Sequence, residues 1–154
     1  MDFVSDSIVT GRRFRALAII DNYTRECPVI EVDTSLGGSR VVNVLERLSE
    51  TRGLPEVITM DNGPEFAGKV LDEWAYRKGV KLNFIRPGKP IENAYAESFN
   101  GRLRDECLNT NWFLNLKHAR DVIEDWRKDY NEVRPHSSLN NLTPMEYANT
   151  ATGF

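Results

Sequence analysis

Three acids in this sequence occupy positions where packing rarely calls for a carboxylate. Asp2 stands in the first apolar run, MDFV. Asp61 ends the run Val57-Ile58-Thr59-Met60, and Glu97 follows with 35 residues between the two. Aspartate is a poor strand residue, and charged side chains are seldom buried without a partner. Two carboxylates about 5 Å apart at an effective dielectric of about 20 repel by roughly 3 kcal/mol. Three converging acids would therefore need a proton or a cation. A few carboxylates completed by water and phosphate oxygens suit Mg²⁺. Two such ions can activate a water or a 3′-hydroxyl and stabilise the leaving oxygen of a phosphodiester. The chain has only two histidines, and metal-assisted chemistry of this kind has no strict need of a tuned general base.

Each acid also has a plainer reading. Asp61-Asn62-Gly63-Pro64 is good turn chemistry between a strand and a helix. Glu97 shares a helix face with Asn93, Asn100 and Arg104, and such a face can simply be solvated. Glu65 is assigned to the first turn of the next helix, where the dipole accounts for it.

The elements that must position these acids follow from periodicity. Phe3 to Val9, Phe14 to Ile20 and Cys27 to Val32 read as three strands joined by the turns at Thr10-Gly11-Arg12 and Asp21-Asn22-Tyr23-Thr24, an antiparallel meander. Ser39 is expected to cap a helix with Val41, Val44, Leu45 and Leu48 inside, closed by Gly53. Glu56 to Met60 is a short buried strand. Pro64 opens the next helix, with Phe66, Val70, Trp74 and Ala75 buried before Gly79. Val80 to Ile85 is a fifth strand, and alternating strands and helices imply parallel neighbours with right-handed crossovers.

Arg86-Pro87-Gly88-Lys89-Pro90 cannot be regular. A helix is expected from about Glu92 to Cys107, its core stripe being Ala96, Phe99, Leu103 and Cys107. Another runs from Asn115 to Tyr130, with Leu116, Ala119, Ile123, Trp126 and Tyr130 on one face. Thr143-Pro144-Met145-Glu146 has capping-box spacing and starts a last short helix. The fold class is α/β, a mixed sheet of three antiparallel plus two parallel strands flanked by helices. Asp2 and Asp61 meet only if the first and fourth strands are neighbours, with the ligand site beyond strand carboxyl ends.

The 154 residues suit one domain, and no apolar stretch approaches the length of a membrane span. Cys27 and Cys107 are too few for a disulfide framework or a zinc site, so a reducing cytoplasm is the expected home. The net charge of −3 argues against nucleic acid covering the whole surface. Basic residues nevertheless cluster at Arg12, Arg13 and Arg15, and at Arg86, Lys89, Arg102 and Arg104.

Taken with their contexts, the acids are recognisable. "MDFV", "TMDNGPEF" and "PGKPIENAYAESFNGRLRDECLN", followed by "YNEVRPHSSLNNLTPMEY", resemble insertion-sequence transposases of the OrfB type, whose catalytic core is like that of retroviral integrases. The resemblance covers nearly the whole chain. It implies an RNase H-like fold and a DDE polynucleotidyl transferase using Mg²⁺ (or Mn²⁺) to cut DNA at transposon ends and join it to a target. By position, Asp2, Asp61 and Glu97 would be both the catalytic residues and the metal ligands. Arg104, seven residues after Glu97, matches the basic residue that follows the family's glutamate. Lys89 matches the active-site loop, and Arg102 joins them as a DNA-binding residue. The resemblance further implies a core over residues 1–110 with a helical tail over 111–154, a homo-oligomer on DNA, no membrane, and a cytoplasmic, nucleoid-associated protein.

Full-length relatives of that kind carry an N-terminal DNA-binding region, and none is expected within these residues. The first strand is expected to miss preceding residues and to hold Asp2 loosely. Two alternatives accompany the transposase core: a metal-dependent nuclease of the same fold, and a catalytically silent DNA-binding or dimerising fragment. Ser137 and Ser138 beside His136 do not supply the geometry of a nucleophilic pair. His118 is expected at the surface, Cys107 in the core, and Trp74, Trp126 and Tyr130 as core aromatics.

Overall fold

FRALAII is apolar almost throughout because both of its faces are covered. A computed structural model describes residues 1–61, 63–85 and 94–152. In it, β1 (Asp2–Ser7), β2 (Arg13–Ile19) and β3 (Val29–Asp33) form an antiparallel sheet in that order. The register pairs Asp2 with Ala18 and Ala18 with Ile30. Successive side chains alternate across a strand. Phe14, Ala16 and Ala18 enter one core with Val4, and Leu17 enters the other. Gly11 closes the β1–β2 hairpin at φ +89°, a conformation that L side chains rarely adopt.

The second core contains α1 (Gly38–Arg52), β4 (Val57–Met60) and α2 (Lys69–Lys78). β4 pairs in parallel with β5 (Lys81–Phe84), so the two added strands are parallel as expected. They form a ladder separate from the first three, with Met1 N donating to Thr59 O at 2.8 Å between the two ladders. That contact ties the start of β1 to β4, and Met1 is 5% exposed.

The first core is completed by α3 (Ala94–Leu103), a π turn over Arg104–Leu108, and α4 (Leu116–Glu132). Ala96, Phe99, Leu103 and Cys107 are all buried, as their spacing requires. Asn115 caps α4 by accepting from His118 N at 2.8 Å. Phe99, Trp126 and Tyr130 pack ring on ring. Asn131 holds the strand side of the tail in place. Its side chain accepts from Cys27 N at 2.8 Å and donates to Cys27 O at 2.9 Å. α5 (Pro144–Thr152) begins with a capping box, Thr143 N to Glu146 Oε1 at 3.0 Å and Glu146 N to Thr143 Oγ1 at 3.1 Å.

Several local expectations need correction. α1 is capped at Gly37, not Ser39, with no side-chain bond at the cap. α2 begins at Lys69, so Pro64 and Glu65 lie in the turn before it. The apolar triple facing inward is Leu71, Trp74 and Ala75, while Val70 is 44% exposed. Phe66 is buried without belonging to the helix, because it stacks on Phe3 at 4.9 Å. β3 begins two residues later than expected, Asn131 having taken the backbone of Cys27.

Candidate active site

The alternation that separates the cores also aims the acids. On β1, Val4 faces α3 and α4, and Asp2, two residues before it, shares that face. On β4, Ile58 and Met60 face α1 and α2, so Thr59 and then Asp61 fall on the opposite side. Both carboxylates thus project from one face of the strands, toward α3.

Asp2 is half-buried. Its Oδ1 accepts from Phe3 N at 2.8 Å, and its Oδ2 accepts from Asn100 Nδ2 at 3.1 Å. Burial is the main force pushing its carboxyl above the usual range, and the negative charge of Asp61 pushes the same way. The bonds from Phe3 and Asn100 oppose that shift without cancelling it. The two acids are therefore within electrostatic reach of one another.

Asp61 is also half-buried, and its Oδ1 accepts from Gly63 N at 2.9 Å. This is the Asx turn that Asp-Asn-Gly favours. A Cβ on Gly63 would come within 3.0 Å of Asp61 Oδ1 and 3.3 Å of Glu65 Oε2, so a larger residue here would press both carboxylates to shift. Glu65 is bound by Arg15, whose guanidinium also lies 4.0 Å over the ring of Phe3. Burial acts to raise the Glu65 carboxyl, but its backbone bond and Arg15 outweigh that and hold it below the usual range. Ion pairing, not a helix dipole, accounts for Glu65, and it removes Arg15 from the free basic cluster.

Glu97 is exposed on α3. Asn100, three residues on, is the part of that polar stripe which reaches the strands. Among the described residues no three acids, histidines or cysteines lie close enough together to hold a metal ion. The charge of Asp61 acts on Asp2, whereas Glu97 is not among the groups that act on Asp2. Bringing a third carboxylate in would add repulsion of roughly 3 kcal/mol per pair.

The donor set fits a hard cation nonetheless. Asn100 Oδ1 is buried with no hydrogen-bond partner, beside a carboxylate that Asn100 itself contacts. Unsatisfied buried oxygens are uncommon, and an oxygen-only environment is what Mg²⁺ or Mn²⁺ takes. Asn100 carries no charge to mark it in the sequence; its place three residues after Glu97 is the available signal.

Arg102, on α3, and Arg104, at the start of the π turn, are both exposed. Lys89 lies outside the described residues, as does Asn62. His136 is buried rather than on an open loop, 4.9 Å from the Tyr130 ring, and it makes no nucleophilic pair. Cys27 and Cys107 are buried. A cavity of about 680 Å³ opens between the end of α1 and the start of β4, and none of the three acids lines it. No helix among the described residues is long and apolar enough to cross a membrane.

Comparison with known proteins bears on this arrangement. A family described as "Integrase core domain" matches residues 1–90, and a second of the same description matches 78–144. The chain is 51% identical to the insertion element IS407 uncharacterized 31.7 kDa protein of Burkholderia multivorans, over 96% of this chain and 53% of that one. It is 46% identical to the insertion element IS476 uncharacterized 39.2 kDa protein of Xanthomonas euvesicatoria, over 96% and 43% respectively. A putative transposase for the element IS150 of Escherichia coli is 26% identical over 95% of this chain and 52% of its own length. The chain thus spans about half the length of these relatives.

Among solved structures, the HTLV-2 integrase catalytic core domain in complex with magnesium superposes with a TM-score of 0.72 at 14% identity, covering 95% of this chain and 94% of that one. The simian T-cell lymphotropic virus intasome, in complex with a regulatory subunit, gives 0.77 at 15%, over 95% and 53%. At such identities the likeness concerns the fold, which is RNase H-like.

Proposed function

The chain belongs to the integrase core domain family, and from that membership we propose that it is the catalytic core of a DNA transposase. The reaction is cleavage of a phosphodiester at a transposon end, followed by attack of the freed 3′-hydroxyl on target DNA. One observation carries the reading beyond the family. Two carboxylates, Asp2 and Asp61, share a strand face within electrostatic reach, beside a buried oxygen of Asn100 that has no partner.

Asp2, Asp61 and Glu97 would hold Mg²⁺ or Mn²⁺, with Asn100 orienting Asp2. When bound, the divalent cation supplies Lewis acidity toward the scissile phosphate and toward the attacking oxygen. The protein's own part is to fix that oxygen set. β1 sets Asp2 by its register with β2, the Asx turn sets Asp61, and α3 carries Glu97. Arg104, Arg102 and Lys89 bind backbone phosphates and hold the DNA in place. Residues 1–110 form the core and 111–154 a helical tail upon it. The active assembly is a homo-oligomer on paired ends, in the cytoplasm with the nucleoid.

The test is a labelled duplex carrying the element's own end, incubated with Mn²⁺ and a supercoiled target. Nicking with joined product supports the transposase core. Nicking without joined product supports a nuclease of the same fold. The exposure of Glu97 favours one further reading, a silent DNA-binding module. DNA binding with neither nicking nor Mn²⁺ uptake would support it.

A further inference from the structure

Glu97 stands in the first turn of α3, and helix ends fray unless something holds them. Two residues before it, Tyr95 is held. The guanidinium of Arg25, in the turn between β2 and β3, lies 3.7 Å from the centroid of the Tyr95 ring. With 3.6 residues per turn, Tyr95 and Glu97 sit about 200° apart around the axis and about 3 Å apart along it. Arg25 therefore braces the flank of the turn opposite the one that carries Glu97. Further along the helix, Asn100 fixes α3 to β1 by its bond to Asp2 at 3.1 Å.

The turn that supplies Arg25 is built to be rigid. Asp21 Oδ1 accepts from Tyr23 N at 2.8 Å and from Thr24 N at 3.1 Å, and Asp21 O accepts from Arg25 N at 2.8 Å. Asp21 N closes the turn on Glu26 O at 2.8 Å. Arg52, at the end of α1, donates to Asp21 Oδ2 at 2.9 Å and to Glu26 Oε1 at 3.1 Å. Both carboxylates of the turn are thus taken, and the Arg25 guanidinium has no ion pair among the described residues. On its other side the turn is steadied by α5, where the Tyr147 ring lies 5.7 Å from that of Tyr23.

Arg25 itself adopts φ +66°, a left-handed conformation that is uncommon outside glycine, asparagine and aspartate. Glycine would suit that backbone better, so what arginine adds is its side chain. Strain of this kind persists where the surroundings over-determine it, and it clusters at functional sites. Here the strained residue spends its side chain on the first turn of α3.

We propose that Arg25 is a positioning residue for Glu97: through the ring of Tyr95 it fixes the turn that aims the carboxylate, and so strengthens divalent-cation binding at the acids. This rests on the reading of Glu97 as a metal ligand. A guanidinium over an aromatic face holds it by charge and by stacking together, which suits it to set the rotation of a helical turn.

The test is Mn²⁺ calorimetry on the wild type, Arg25→Gly, Arg25→Lys, Glu97→Gln and the double variant Arg25→Gly with Glu97→Gln, with urea midpoints measured alongside. Glycine adopts φ +66° without strain, so the midpoint of Arg25→Gly should stay near that of the wild type. Arg25→Gly is expected to weaken Mn²⁺ binding about two- to fivefold, the range of one exposed cation–π contact. Arg25→Lys should retain wild-type affinity, since an ammonium also sits over the ring. In the Glu97→Gln background Arg25→Gly should change nothing, because the group it positions is gone. Wild-type affinity in Arg25→Gly would overturn the proposal, and so would an equal loss in both backgrounds. Wild-type affinity in Glu97→Gln, or no Mn²⁺ uptake by the wild type, would overturn the metal reading and this proposal with it.

Discussion

Asn100 reaches from α3 to β1 and donates to Asp2 Oδ2 at 3.1 Å, while its own Oδ1 is buried with no partner. One amide therefore does two unlike things. Its nitrogen satisfies a carboxylate that burial and Asp61 both penalise. Its oxygen carries an unmet acceptor at the same spot, which a water or a cation coordinated by Asp2 could meet.

Asn100→Leu separates those roles. Losing the bond to a charged group costs about 1.5–3 kcal/mol, and removing an unsatisfied buried oxygen returns about 1–3. The urea midpoint is expected to move little. Metal affinity should fall on the order of tenfold or more, as for other residues that orient a ligand. Parallel urea and Mn²⁺ titrations check this. A large loss of stability with unchanged Mn²⁺ affinity would make Asn100 a structural residue only.

Asn131→Leu acts on the fold instead. The Asn131 amide stands in for a neighbouring strand at Cys27, and both of its bonds are buried. Leucine would strand the Cys27 N–H, while Cys27 O keeps its bond from Arg127 Nη1 at 2.8 Å. We expect a loss of about 1–3 kcal/mol in urea unfolding. No measurable loss would mean that water takes over the bond to Cys27 N.

The fold was largely legible in the sequence because periodicity reports on burial. FRALAII announced a strand covered on both faces, and Ala96, Phe99, Leu103 and Cys107 announced the inner stripe of α3. Tertiary pairings were not legible. Nothing local marks Arg15 as the partner of Glu65, fifty residues away, and without that pairing the turn at Pro64 reads as a helix start. The same holds for Asn131, which shortens β3 from across the molecule. The three acids stand out by type and spacing as candidates, since packing has little use for carboxylates at such positions. Asn100 does not, because an amide on a polar helix face looks solvated until its contact with Asp2 is seen.

His136 makes stability depend on pH in a defined window. Its folded-state pKa lies below the ordinary value, chiefly through burial. As pH falls through about 6.5, the unfolded chain takes up a proton that the folded chain resists. Stability without DNA should therefore drop as pH falls below about 6.5. His136→Gln should flatten that part of the profile, read as urea midpoints across pH. An identical profile in the variant would assign the drop to another group.

Mn²⁺ binding in the free protein should distinguish the acids from one another. The charge of Asp61 adds to the burial that pushes the Asp2 carboxyl above its usual range, so a cation at Asp2 relieves a repulsion already present. Glu97 is exposed, and it is not among the groups that act on the Asp2 carboxyl. Asp61→Asn removes half of the repelling pair and one ligand, and calorimetry should show saturable binding lost. Glu97→Gln leaves that pair intact, and binding should weaken while remaining measurable. If the three acids form the catalytic set we propose, both variants should lose nicking with their urea midpoints preserved. Full nicking by either variant would remove that residue from the catalytic set. Equal loss of Mn²⁺ binding in both would mean that Glu97 closes onto the pair before DNA arrives.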